Sequence, residues 1–193
     1  QEVTGLHKMP DGTWEVYLQR GRVLKADFVC IAAGGYAQAD KFAWLQQTGH
    51  SIATPVPSLF TFNMPKHPIT ALMGVSVSEA QVKITGTKLQ EQGPLLITHW
   101  GMSGPAILRL SAWGARELQA MQYQFTALVN WLPQYNEHSL RTAWQELRLA
   151  MGGQPLKTKN PFGLPQRLWI FLLQHTGIPE ETRWADLPAK EQN

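Results

Sequence analysis

The sequence of 193 residues lacks the usual signs of a metal-binding, disulfide-bonded or membrane-spanning protein. Its single cysteine, Cys30, excludes an intramolecular disulfide, and the apolar run ADFVCIAAGG around it predicts a buried, unreactive thiol. The six histidines stand far apart without metal-ligand spacing, so we expect no metal site. No apolar run approaches the roughly 18 residues of a membrane helix, and no signal-peptide pattern is found. We therefore expect a cytoplasmic protein with no membrane partner.

Charged side chains are also scarce, at 16 % of the residues, whereas 44 % are apolar. The formal net charge is only +3, and the lysines and arginines are scattered along the chain. Because this balance gives little electrostatic attraction for phosphates, it predicts no nucleic-acid partner, and the denser stretch PLKTKNPFGLPQR is interpreted as a solvated surface. The chain begins QEVTG without a methionine, so we expect a piece of a longer protein.

Residues 1–50 show the pattern of a hairpin followed by a buried strand. Pro10-Asp11-Gly12 separates VTGLHKM from TWEVYLQ, which is a strong turn signal between two strands. The continuous apolar run DFVCIAA predicts a strand buried on both faces, ending at two glycines. ADKFAWLQQTGH then predicts a short helix that ends at Gly49.

Residues 51–133 are predicted to form an antiparallel sheet or small barrel with one helix. In GVSVSEAQVKITG the alternation of apolar and polar residues changes phase at Ser78-Glu79, which predicts a turn or bulge. GPLLITHW and YQFTALVNW predict further strands. Between them, a helix from Gly104-Pro105 would present an apolar stripe formed by Ile107, Leu110, Gly114, Leu118 and Met121.

Residues 134–193 are predicted to be helical, so the fold class is α+β, with a barrel-like antiparallel subdomain and a small helical one joined near Pro133. Asn136 is a candidate N-cap for a helix that contains LRTAWQELRLAM. Pro165 is suited to the first turn of a second helix, PQRLWIFLLQHTG, and LPAKEQN predicts the beginning of a third. Five tryptophans occupy positions expected in the core: 113, 131, 144, 169 and 184.

The stretch THWGMSGP joins a predicted strand to a predicted helix, and its serine admits three interpretations. A nucleophile elbow, G-x-S-x-G, would need glycine where Pro105 stands, and a pair with His99 lacks an evident acid partner. A helix N-cap at Ser103 would contribute about 1 kcal/mol. Alternatively, Gly101 and Gly104 would leave the helix N-terminus accessible, and the stretch could line a ligand site.

ADFVCIAAGG, PVPSLFTFNM and QGPLLITHWGMSGPAILRLSAWGARELQ together resemble the YhiN/BaiN-like (HI0933-like) NAD(P)/FAD-dependent flavoproteins. The resemblance covers nearly the whole chain, and THWGMSGPAILRLS is its most specific part. It implies a parent oxidoreductase with a Rossmann-like FAD domain, of which residues 1–50 would be a remnant. Residues 51–133 would be a β-rich insert and residues 134–193 a helical insert. The alternative is a binding or interaction module without catalysis of its own.

The resemblance also implies which residues lie near the cofactor and the substrate of the parent. Ala33, Gly34 and Gly35 would lie near FAD, and the substrate side of the flavin would be formed by His99, Trp100, Gly101, Ser103 and Gly104. The catalytic residues stay unassigned. The implied partners are FAD, with NAD(P)H as candidate electron donor, a small-molecule substrate and the missing FAD-domain segments.

Two expectations follow from departures from the family pattern. The N-terminal G-x-G-x-x-G turn and the acidic residue that would hold the ribose are absent from this chain. Since dinucleotide affinity depends on both, we expect the chain alone not to bind FAD. The FVCIAA strand would lack neighbours here, and an exposed apolar strand tends to recruit another chain, so either a homodimer through this strand or local disorder is expected.

Overall fold

The structure, a computed structural model, describes residues 1–36, 38–179 and 181–188. Contacts within the chain divide it into two units, Gln1–Pro57 and Ser58–Asn193. The third helix predicted in LPAKEQN falls on residues 189–193 for most of its length and so lies outside the described residues.

The first unit contains a three-stranded antiparallel sheet in the order β1-β2-β3, formed by β1 (Val3–Lys8), β2 (Trp14–Leu18) and β3 (Val23–Ala26). The predicted hairpin is confirmed. The carboxylate of Asp11 accepts hydrogen bonds from the backbone N–H (3.0 Å) and the hydroxyl (2.7 Å) of Thr13. These bonds stabilise the charged form and hold the pKa of Asp11 below its usual value. Gly12 takes φ +89°, a conformation that glycine adopts without steric cost.

The strand predicted in DFVCIAA does not form, and residues 27–36 have no helix or strand. Phe28 is 91 % exposed and Ile31 47 % exposed, and Cys30 is exposed as well, so the expectation of a buried thiol is wrong. A strand buried on both faces needs hydrogen-bonding neighbours, and among the described strands none pairs with this segment.

The short helix predicted after this segment is confirmed. A 3₁₀ turn over Ala39–Phe42 leads into α1 (Ala43–Gln46), and Gly49 follows with φ +91°. Because α1 has only four residues, its packing depends on its half-buried side chains, which include Trp44 and Leu45.

The second unit contains a five-stranded antiparallel sheet in the order β4-β7-β6-β5-β8, which confirms an α+β fold with a barrel-like sheet. Its strands are β4 (Phe62–Asn63), β5 (Ser76–Ile84), β6 (Gln90–Ile97), β7 (Gly101–Ser103) and β8 (Ala127–Asn130). The predicted phase change is confirmed, because the β5–β6 register shifts between Val77 and Ala80. This bulge keeps apolar side chains on both sides of it in the core.

The helix predicted after THWGMSGP is present, but it is divided into α2 (Pro105–Trp113) and α3 (Ala115–Ala120). The division falls at Gly114, where an added Cβ would lie 2.6 Å from Leu89 Cδ1. The inward stripe is confirmed at Ile107, Leu110 and Leu118. Trp113, by contrast, is 79 % exposed, so its expected place in the core is wrong. It is the last residue of α2, where the helix ends and its side chain extends into solvent.

Ser111 lies fully buried on α2 and joins that helix to the segment before β4. Its Oγ accepts a hydrogen bond from the Phe60 N–H (3.0 Å) and donates one to the Leu108 carbonyl (2.9 Å). The hydroxyl thus satisfies a backbone donor far away in sequence.

Ser111→Ala should lower the free energy of unfolding by about 1–3 kcal/mol, because the partly buried Phe60 N–H would lose its acceptor. Urea denaturation measures this change. Ser103→Ala is the matched control, since the Ser103 hydroxyl makes no hydrogen bond within the described residues, and it should change stability by less than about 0.5 kcal/mol. Equal losses in the two variants would contradict the assignment.

Two longer helices complete the second unit, α4 (Glu137–Met151) and α5 (Gln166–His175). The predicted cap at Asn136 is confirmed: its side chain accepts from the Ser139 N–H, and the Ser139 hydroxyl accepts from the Asn136 N–H. Pro165 precedes α5 as predicted. Buried side chains of the helical region belong to the same hydrophobic core as those of the sheet.

An aromatic cluster fills the core of the helical region. Trp169 and Trp184 are buried, and the half-buried Trp144 contacts both, with ring centroids 6.2 Å and 4.7 Å away. The indole of Trp169 donates to the Leu156 carbonyl at 2.7 Å. The indole N–H of Trp184 has no partner among the residues the structure describes.

Trp169→Phe should therefore destabilise the protein by about 1–3 kcal/mol more than Trp184→Phe. Both substitutions remove the same volume from the core, but only the first leaves a buried carbonyl, that of Leu156, without its donor. Chemical denaturation of both variants under one set of conditions measures the difference. Equal stabilities would show that the Trp169 bond contributes nothing.

Candidate functional site

The candidate site lies at the tight turn that connects β6 to β7. The Thr98 N–H donates to the Gly101 carbonyl (2.8 Å), and the Gly101 N–H donates to the Thr98 hydroxyl (3.1 Å) and carbonyl (3.3 Å). This closed turn places His99 and Trp100 at its tip, where both are exposed. The structure therefore brings together two of the predicted site residues on a rigid support.

Hydrogen bonds and ring contacts hold the tip in place. The Trp100 indole N–H donates to Thr61 Oγ1 (3.2 Å), and the Trp100 carbonyl accepts from the Met64 N–H (2.7 Å). The His99 ring meets the Trp100 ring edge to face, with centroids 4.4 Å apart. Trp100 remains 41 % exposed. An aromatic ring fixed on one side and open on the other is suited to stacking against a planar ligand.

Gly101 and Gly104 are explained by close backbone packing. At Gly101 (φ +154°) an added Cβ would lie 2.1 Å from the Phe62 carbonyl oxygen, and at Gly104 (φ +100°) 2.8 Å from the Pro94 carbonyl oxygen. The β6 backbone thus occupies the space beside Gly104. A larger residue at position 104 would clash with the β6 backbone, so its effect would be on the stability of the fold and not on ligand binding.

Ser103 is not the helix cap that the sequence suggested. It belongs to β7, where it pairs with Leu96, and the N-cap position is taken by Gly104, with Pro105 at the first helical position. Because Ser103 is the last residue of β7, the helix begins one residue later than a cap at Ser103 would require. The Ser103 side chain therefore does not bind the N–H groups of the first helical turn as a cap does. Within the described part of the chain, no hydrogen bond links Ser103 to a histidine or carboxylate, so nothing activates it as a nucleophile.

The residues predicted to lie near a cofactor belong to the first unit, beside a cavity of about 450 Å³. Ala33 lines this cavity together with Cys30, Tyr36, Lys41 and Trp44, whereas Gly34 and Gly35 face open space. A dinucleotide site needs a glycine-rich turn at a helix N-terminus, and the helix of this unit, α1, has four residues. The described residues of this unit therefore do not by themselves fit FAD.

Metal-ligand clusters and membrane-spanning helices are both absent from the described residues. These residues contain no group of three or more His, Cys, Asp or Glu side chains arranged to hold a metal ion. Each helix in the same residues is too short or too polar to cross a bilayer.

The chain is an α+β protein in which an antiparallel, barrel-like sheet carries the candidate turn and shares its core with α2, α3 and α5. The family described as "HI0933-like protein barrel and H2TH domain" matches residues 56–193. The chain therefore belongs to the HI0933-like family, which is associated with flavoproteins.

A curated relative is the protein named "Ribosomal RNA dihydrouridine synthase" of Escherichia coli (strain K12). It is 30 % identical to this chain over 170 residues, which make up 83 % of this chain and 39 % of the relative. The chain thus spans about two fifths of the length of the curated relative it matches.

Sequence reasoning missed the residues that fix the turn. Thr61 and Met64 contact Trp100 because β4 pairs with β7, although these strands are about 40 residues apart in the chain. The apolar alternation of SLFTFNM signals a strand, but it gives no information about which strand is its neighbour.

Proposed function

We propose that this chain is the barrel and helical part of a larger flavin-dependent enzyme that reduces uridine to dihydrouridine in ribosomal RNA. Membership of the HI0933-like family supports the flavin, and the curated relative's name supports the reaction. Because the described residues of the first unit do not fit FAD on their own, segments outside these 193 residues would bind it. We place the intact protein in the cytoplasm, where ribosomal RNA is found.

The turn from Thr98 to Gly101 would form part of the substrate side of the active site. The single observation that carries this role is the Trp100 ring, which is held by Thr61 and His99 and yet 41 % exposed. Enzymes that act on a base within RNA stack the extruded base on aromatic side chains. Trp100 would stack on the uracil ring, and the hydride donor would approach the opposite face of the base.

This proposal departs from two expectations: the absence of a nucleic-acid partner, which rests on the net charge of the whole chain, and a small-molecule substrate, which the family resemblance implies. The charge is unevenly divided between the two units. Residues 1–57 carry 5 basic and 5 acidic side chains, whereas residues 58–193 carry 12 and 9. The whole excess of +3 thus belongs to the unit that contains the candidate turn, but a charge this small does not by itself attract RNA, so the proposal depends on the curated relative and on Trp100.

The proposal is tested on the intact protein with unmodified ribosomal RNA made by transcription. We expect a flavin absorption band in the purified protein. After incubation with NADH or NADPH, mass spectrometry of the digested RNA should detect dihydrouridine. RNA incubated without protein is the control. A colourless protein, or a flavoprotein that oxidises NAD(P)H but leaves every uridine unchanged, would contradict the proposal.

A further inference from the structure

A second exposed tryptophan lies at the opposite end of α2 from the candidate turn. Trp113 is the last residue of α2 and is 79 % exposed, whereas Ile107 and Leu110 on the same helix are buried. The neighbouring Gly114 packs against Leu89, which comes from the turn between β5 and β6. Trp113 thus contributes little to the core, although its backbone adjoins a well-packed junction of helix and sheet at Gly114.

Two exposed basic residues lie on the elements that adjoin this tryptophan. Arg116 follows it by three residues on α3, and Lys88 adjoins Leu89 in the β5–β6 turn. Within residues 1–36, 38–179 and 181–188, neither cation has an ion-pair partner. Arg109, one helical turn before Trp113, pairs with Glu91 (3.4 Å) and donates to the Gln92 carbonyl. The remaining carboxylate on these elements is Glu117, which leaves an excess of positive charge.

We propose that Lys88, Trp113 and Arg116, called here the Trp113 surface, bind a single-stranded segment of the RNA substrate. A base would stack on Trp113, and Lys88 and Arg116 would pair with the flanking phosphates. Proteins bind single-stranded RNA through this combination of an exposed aromatic ring and nearby cations. The inference rests on the proposed function and adds to it a contact outside the active site.

Strand β7 and helix α2 both lie between the candidate turn and Trp113, so the length of α2 gives only part of the distance between the two tryptophans. Pro105–Trp113 spans nine residues, so at 1.5 Å per residue the Trp113 surface lies about 12 Å from the end of the helix that follows the turn. A free nucleoside is too small to contact both places, whereas an RNA strand of several nucleotides can. The Trp113 surface therefore selects RNA over free uridine.

The test uses the intact protein and a fluorescein-labelled oligouridylate of twelve nucleotides, with the dissociation constant measured by fluorescence anisotropy. Trp113→Ala should weaken binding about tenfold or more, and Trp113→Phe should restore most of the affinity, since the stacking face is kept. Arg116→Gln should reduce the slope of log K against log salt concentration by about 0.7, the value for one phosphate contact on a single strand.

Two control variants separate this site from general effects. Leu149→Ala removes an apolar side chain of α4 that is 89 % exposed, and Arg22→Gln removes one positive charge from the first unit. Neither should change the affinity by more than about twofold. Unchanged binding by Trp113→Ala, or an equal loss in Arg22→Gln, would overturn the proposed surface.

Dihydrouridine formation in the same preparations distinguishes an error in the Trp113 surface from an error in the proposed function. If the unaltered protein modifies ribosomal RNA while Trp113→Ala binds and modifies it equally well, the Trp113 surface is wrong and the proposed function stands. If the unaltered protein neither binds nor modifies RNA, the proposed function fails and the Trp113 surface fails with it.

Discussion

Gly101→Ala should destabilise the protein by about 4 kcal/mol or more, which is exceptional for a substitution that adds one methyl group. The added Cβ would lie 2.1 Å from the Phe62 carbonyl oxygen and 2.9 Å from the Met64 nitrogen. Both are backbone atoms of β4 and its continuation, so neither can rotate away. The φ of +154° adds conformational strain for any residue with a side chain. The β4–β7 pairing would have to separate to relieve the clash.

Urea denaturation of Gly101→Ala and of Gly153→Ala measures this effect against a matched control. An added Cβ at Gly153 meets nothing within 4 Å, and its φ is not positive, so the same methyl group should cost at most about 1 kcal/mol there. If Gly101→Ala were as stable as Gly153→Ala, the close approach of β4 to the turn would not exist in solution.

The parts of the fold that the sequence predicted are those determined by neighbouring residues. The hairpin at Pro10–Gly12 depends on one turn, and the capping box at Asn136 joins residues three positions apart. The β5 bulge was also predictable, because a change in the phase of apolar alternation can keep both halves of a strand in the core only if the register shifts.

The failed predictions concern residues whose environment depends on distant parts of the chain. DFVCIAA has the composition of a buried strand, but a strand also requires neighbours, and composition does not supply them. Ser103 has the sequence of a helix cap, but its pairing with Leu96 in β6 keeps it in a strand. In both cases tertiary pairing, or its absence, overrides the local preference.

In the candidate site, too, the sequence predicted what depends on neighbouring residues and missed what depends on distant ones. The sequence pointed to His99 and Trp100 through the unusual THWGMSGP stretch, and these residues do lie together at a turn. It could not identify Thr61, because the bond from Trp100 crosses between β4 and the turn. Nor could it separate the exposed Trp113 from the buried Trp169, because 3.6-residue periodicity gives the inward face of a helix only to within the width of one side chain.

Trp100→Ala in the intact protein should lower kcat/KM for dihydrouridine formation about 5- to 150-fold, if Trp100 stacks on the uracil as proposed. Base stacking on an aromatic side chain contributes roughly 1–3 kcal/mol, which corresponds to this range. If stacking binds the substrate and the transition state equally, the loss should appear mainly as a higher KM with little change in kcat. Trp100 is more than half buried and its indole bonds to Thr61, so the same substitution should also lower the free energy of unfolding by about 1–3 kcal/mol, and rates are compared at a temperature where circular dichroism shows the variant folded.

Thr61→Val is the matched variant, because it keeps the Trp100 ring and removes only the hydroxyl that accepts its indole N–H. The ring would be oriented less well, so we expect a smaller loss of kcat/KM, of about two- to fivefold, equivalent to less than about 1 kcal/mol. Initial rates over a range of RNA concentrations give kcat and KM for both variants. A Trp100→Ala enzyme with unchanged kcat/KM would remove Trp100 from the substrate site. If Thr61→Val lost as much kcat/KM as Trp100→Ala, the reaction would depend on the structure of the turn and not on stacking of the base on Trp100.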